Sequence, residues 1–126
     1  MTSSAIVLGL FGLTLLFIPD EIMIYLNLES NRIVLIAFQL LGAFYFAFAM
    51  LNWMSKASLI GGIYNRPITI ANLTHFLIGG LALIKGFISN SNWPMLLLVV
   101  TSVYSVYAIF FGVIFFRHPI KEKENE

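Results

Sequence analysis

An all-α, integral membrane fold of four transmembrane helices packed as a bundle is predicted by three observations. The 126-residue chain is 60% hydrophobic and 10% charged, against about 25% charged in a soluble domain, and its mean hydropathy is +0.92. Four segments, residues 3–18, 33–54, 67–88 and 93–116, approach or reach the ~20 apolar residues that cross a bilayer. Lys and Arg are also unequally shared. With four spans, both termini and the second loop lie on one side, which holds Lys56, Arg66, Arg117, Lys121 and Lys123. The other side holds Arg32 and Lys85. Five against two predicts both termini in the cytoplasm. The length predicts one transmembrane domain, with residues 117–126 as a polar cytoplasmic tail.

Taken in order, the first span is short. Ser3 or Ser4 is suited to cap it, and Pro19 ends or kinks it. The run before Pro19-Asp20-Glu21 lacks a basic start and a small-residue cleavage site, so a retained helix is expected rather than a signal peptide. Residues 19–31, PDEIMIYLNLESN, place proline and two acids at a helix start. Two readings fit: a short interfacial helix followed by a loop, or the first helix continuing through a kink. The second span contains Gln39, Gly42-Ala43, Tyr45 and Asn52-Trp53. The second loop, residues 55–66, centres on Gly61-Gly62. The third span opens at Pro67, and the fourth at Trp93-Pro94 after the turn SNSN. Trp53 and Tyr64 would mark the inner interface, Tyr25 and Trp93 the outer one.

In lipid, helices associate through close packing and hydrogen bonds, so small residues mark contacts. Ala5, Gly9 and Gly12 serve the first helix, and Gly42 and Ala43 the second. In the third, Asn72, His75, Gly79, Ala82 and Gly86 recur at helical spacing on one face. Thr101, Ser105, Ala108 and Gly112 do so in the fourth.

Composition also excludes chemistry. The absence of cysteine removes disulfides, thiolate metal sites and thiol redox catalysis. No Asp or Glu lies inside a span, which argues against proton-coupled antiport of the small multidrug type. His75 has no second histidine at its depth, so neither haem nor metal is expected. No catalytic residue and no cofactor is assigned. A net charge of +1 gives no bias toward nucleic acid.

Two candidate sites remain. Polar side chains at membrane depth are costly and often functional, so Tyr45, Asn52, Asn72, His75, Tyr104 and Ser105 are candidates to line an intramembrane pocket. The competing reading is hydrogen-bonded glue between helices. Lys56 and Arg66 flank Gly61-Gly62 near the start of the third helix, a candidate contact for an anion or lipid head group. Here the competing reading is an interfacial turn that obeys the positive-inside rule.

LFIPDEIMIYLNL, followed by LLGAFYFAFAMLNW, resembles the small four-helix DoxX-like membrane proteins. These share a helix, a Pro-led interfacial piece and a Gly-Ala-rich second helix. The resemblance covers roughly the first half of the chain. It implies a four-helix membrane fold and, through some members, association with respiratory quinol or thiosulfate oxidation complexes. It transfers no functional residue, and SLIGGIYNRPITIANLTHF lies outside what it explains.

The expected function is therefore that of a non-enzymatic accessory or interaction subunit of a membrane complex. Its expected contacts are the lipid bilayer and either copies of itself or a partner membrane protein, in a bacterial inner membrane. The alternative is a small transporter, or a lipid- or small-molecule-binding protein with its pocket around His75.

Overall fold

The structure, a computed structural model, describes residues 1–29, 31–57, 66–89 and 92–116. Among the described residues there is no strand. The helices are α1 (Thr2–Phe17), α2 (Pro19–Tyr25), α3 (Arg32–Met54), α4 (Arg66–Ser89) and α5 (Met95–Phe116), with one 3-10 turn at Ser55–Ala57. Three of them, α3 to α5, are long and apolar enough to cross a membrane; the bent pair α1 and α2 makes a fourth if it counts as one span. The chain divides into two compact units, Met1–Ala57 and Ser58–Glu126, each built on one antiparallel helix pair.

In the first unit, α1 breaks at Ile18, whose φ of −130° and ψ of 45° are not helical. A residue before proline is pushed out of the α region by the pyrrolidine ring. The Ile18 N–H still donates to Thr14 O at 3.0 Å, and Pro19 occupies the first turn of α2, where its missing N–H costs nothing. The two helices meet at 92°. Asp20 and Glu21 complement the positive end of α2. Asn27 closes the helix in the left-handed region, at φ 53°. Its N–H donates to Ile24 O at 3.0 Å, and Leu28 N–H reaches back to Met23 O at 2.9 Å. This is the Schellman pattern, with asparagine in place of the usual glycine. Asn31 then caps α3 by accepting Ile33 N–H at 2.9 Å.

Helices α1 and α3 pack through backbone contact. A Cβ on Gly12 would lie 2.8 Å from Phe46 N and 2.9 Å from Gly42 O; one on Gly42 would lie 2.9 Å from Gly12 O. Toward the N-terminus, Gly9 faces Ala49, and Ser4 meets Asn52. Ser4 does not cap α1, as its sequence position suggests; Met1 holds that place with no side-chain bond. Ser4 lies inside the helix, donating to Met1 O at 2.8 Å and accepting from Asn52. The small face of α1 holds as expected. In α3 the closed positions are Gly42, Ala49 and Asn52, whereas Ala43 is exposed.

In the second unit, α4 and α5 pack through aromatic rings. The Phe76 ring is fully buried and stacks on Tyr107 at 4.9 Å and on Phe111 at 5.8 Å, with Tyr104 edge-on at 5.2 Å. The buried line of α4 is Thr69, Asn72, Phe76 and Gly80. The small-residue face is thus turned partly aside: His75, Gly79 and Gly86 are half-buried and Ala82 is exposed. A phenyl ring removes far more apolar area from its surroundings than an alanine or glycine face, so Phe76 sets the rotation of α4. In α5 the buried positions are Tyr104 and Phe111, flanked by half-buried Thr101, Ser105, Ala108 and Gly112. The helix starts at Met95 rather than at Trp93. Pro94 precedes it, its carbonyl accepting Leu97 N–H at 3.0 Å. Trp93 instead covers Gly86, where a Cβ would collide with its ring.

Candidate functional site

The six candidate pocket residues belong to both units: Tyr45 and Asn52 to the first, Asn72, His75, Tyr104 and Ser105 to the second. In the second unit, His75 and Tyr104 come together. His75 is nine residues into α4, about 13 Å from Arg66 by helix rise. Tyr104 is nine residues into α5, which runs the opposite way. Tyr104 Oη and His75 Nε2 are 3.1 Å apart. The rings are tilted at 49° with centroids 5.4 Å apart, and the Phe76 ring stands edge-on to both, 5.1 Å from His75 and 5.2 Å from Tyr104. A neutral imidazole with its proton on Nδ1 accepts the tyrosine O–H at Nε2.

Gly79 completes this arrangement. A Cβ there would lie 2.5 Å from Tyr104 Cε1 and 3.0 Å from Cδ1. The phenol therefore occupies the space a side chain at Gly79 would take, and this seat brings its hydroxyl to His75. In sequence Gly79 reads as one member of a packing stripe; only the pairing of α4 with α5 shows that it seats Tyr104.

The remaining polar candidates also make hydrogen bonds or ring contacts. Asn72, fully buried, donates from Nδ2 to Ile68 O at 2.9 Å, one turn back. Ser105 donates to Thr101 O at 2.9 Å, as Thr101 does to Leu97 O at 2.7 Å. In the first unit Asn52, also fully buried, donates from Nδ2 to Ser4 Oγ at 3.2 Å. Tyr45 sets its ring edge-on to Phe11 at 6.1 Å. Among the described residues no buried side-chain nitrogen or oxygen is without a hydrogen-bond partner. Ser4, a partner 48 positions from Asn52, carries no signal in the sequence beyond being a small polar residue in the first helix.

For the second candidate site, Gly61 and Gly62 lie outside the described residues. Lys56 and Arg66 both engage aromatic faces. Lys56 Nζ sits 3.3 Å from the Trp53 ring centroid, and the Arg66 guanidinium carbon 5.9 Å from that of Phe115. Each is a cation-π contact at a helix end, where a long basic side chain reaches from apolar surface toward water.

Among the described residues no group of three or more His, Asp or Glu side chains is placed to hold a metal ion. Comparison with protein-family models, with curated proteins and with solved structures finds no match.

Proposed function

We propose that the chain is a four-span membrane protein with both termini cytoplasmic, acting as a non-enzymatic accessory or interaction subunit of a membrane complex. The observation that carries this reading is that, among the described residues, no fully buried side-chain nitrogen or oxygen lacks a hydrogen-bond partner. Side chains that bind a substrate keep donors or acceptors directed at it. Here His75 meets Tyr104, Asn52 meets Ser4, and Asn72 meets its own helix. The two pairs that cross between helices, His75 with Tyr104 and Asn52 with Ser4, hold them together, each worth roughly 0.6 kcal/mol on average. What the protein offers outward is apolar. Ile36, Leu40 and Phe44 on α3, and Val106, Ile109 and Val113 on α5, are exposed.

In this reading α1 is the first span and α2 lies at the outer surface, supported by the 92° bend and by Asp20 and Glu21. The positive-inside count, five basic residues against two, supports the orientation. The partner is a membrane protein or a second copy of this chain, and the likeness to DoxX-like proteins points the same way. Isolation from the native membrane in mild detergent, after cross-linking, tests this. A stoichiometric larger assembly is expected; a monomer linked to nothing overturns it.

One observation favours the alternative, a transporter or small-molecule binder. His75 is half-buried where Asn72 and Tyr104 are closed off. His75→Ala separates the two readings. Loss of a co-purifying small molecule with the fold retained would move the assignment to the pocket; lower stability alone would leave it with assembly.

A further inference from the structure

The first unit contains a mismatch in height. At one end α1 and α3 are flush, since Ser4 and Asn52 bond at 3.2 Å and each lies two residues from its helix terminus. At the other end they are not. Gly12 faces Phe46 and Gly42, a height near residue 44 of α3. From there α1 runs five residues to Phe17, about 7 Å, while α3 runs twelve residues to Arg32, about 18 Å. Helix α3 thus stands about 10 Å higher, and α1 as a whole is about 24 Å long against the ~30 Å of a bilayer core. Helix α2 leaves α1 at 92° at the end of the shorter helix and packs against α3.

Two surfaces at that height make opposite demands. Asp20 and Glu21 on α2 are exposed, and carboxylates need water or head groups. Ile33 and Ile36 on the first turns of α3 are also exposed, and they need hydrocarbon. A flat membrane surface satisfies one pair and fails the other. Phe17, the last residue of α1, is exposed and apolar, suited to lipid at the end of the shorter helix.

We infer that the outer leaflet slopes around this unit: head groups dip to α2 on the α1 side and remain near Arg32 on the α3 side. The surface is fitted to a locally thinned bilayer, a known response to a short span. The inference rests on the membrane reading above.

The natural absence of cysteine makes single labels clean. Nitroxides are placed by Glu21→Cys, Ile36→Cys, Leu10→Cys and Val106→Cys in the full chain, reconstituted in phosphatidylcholine vesicles with 18-carbon chains. Asp20→Cys replaces Glu21→Cys if that variant misfolds. Accessibility to a water-soluble nickel chelate is compared with that to oxygen. The α2 label is expected to favour nickel and the Ile36 label oxygen, with the ratio differing at least several-fold. Both labels favouring nickel would mean that α3 simply protrudes; both favouring oxygen would mean that α2 is submerged. Either overturns the slope. Leu10 and Val106, at mid-helix, report on the membrane reading itself: if they favour nickel, that reading fails instead.

Discussion

The two units use glycine for different ends. In Met1–Ala57, Gly12 and Gly42 remove Cβ atoms so that two backbones touch. In Ser58–Glu126, Gly79 and Gly86 remove Cβ atoms so that Tyr104 and Trp93 can lie against α4. The first is a close helix crossing, where van der Waals contact between main chains does the work. The second is a seat for rings, and the helices meet through Phe76, Tyr104, Tyr107 and Phe111. The difference shows that a small residue in an apolar helix states only that something comes close. What comes close, backbone or ring, depends on the partner helix.

Substitutions can break this comparison. Gly12→Ala carries the largest expected cost, about 3 kcal/mol, because its Cβ meets Phe46 N and Gly42 O and neither can move without shifting a helix. Gly79→Ala is expected to cost less, about 1–2 kcal/mol, since the obstacle is a ring that can turn. Detergent-unfolding titrations would rank the two. Rescue sharpens the contrast. Adding Tyr104→Ala to Gly79→Ala frees the space the new methyl needs, so the pair is expected to cost less than the sum of its parts. Truncating Phe46 beside Gly12→Ala should bring no such relief, because the clash there is with main chain.

Smaller effects follow at polar and turn positions. Asn52→Leu removes the bond to Ser4 and is expected to lower the stability of the first unit by about 1 kcal/mol. Asn27→Gly has the opposite sign. The left-handed φ of 53° strains any side chain, so glycine there should be neutral or stabilising by up to about 1 kcal/mol. Asn27→Val should be destabilising by at least as much.

Much of the secondary structure is legible in the sequence because long apolar runs bounded by proline and polar turns read as helices. The boundaries of α3 and α4 fall within one residue of expectation, and the break before Pro19 follows from proline alone. The start of α5 was less legible, since Pro94 suits either the first helical position or the one before it, and the structure uses the latter. Of the candidate site, His75 and Tyr104 were both visible as polar groups in apolar helices. Their pairing was not, because register between α4 and α5 is set by Phe76 and by the seat at Gly79. Ser4 was misread for a related reason. A serine near a helix start suits a cap, and only the antiparallel register with Asn52 shows it turned into the interface.

The central claim is that the polar side chains that meet across helix pairs, His75 with Tyr104 and Asn52 with Ser4, serve to hold those helices together. A double-mutant cycle on His75→Leu and Tyr104→Phe, read by unfolding in detergent, tests it most directly. The account predicts a favourable coupling of roughly 0.6 kcal/mol, with a ceiling of about 1.7 kcal/mol. Strictly additive costs would contradict it.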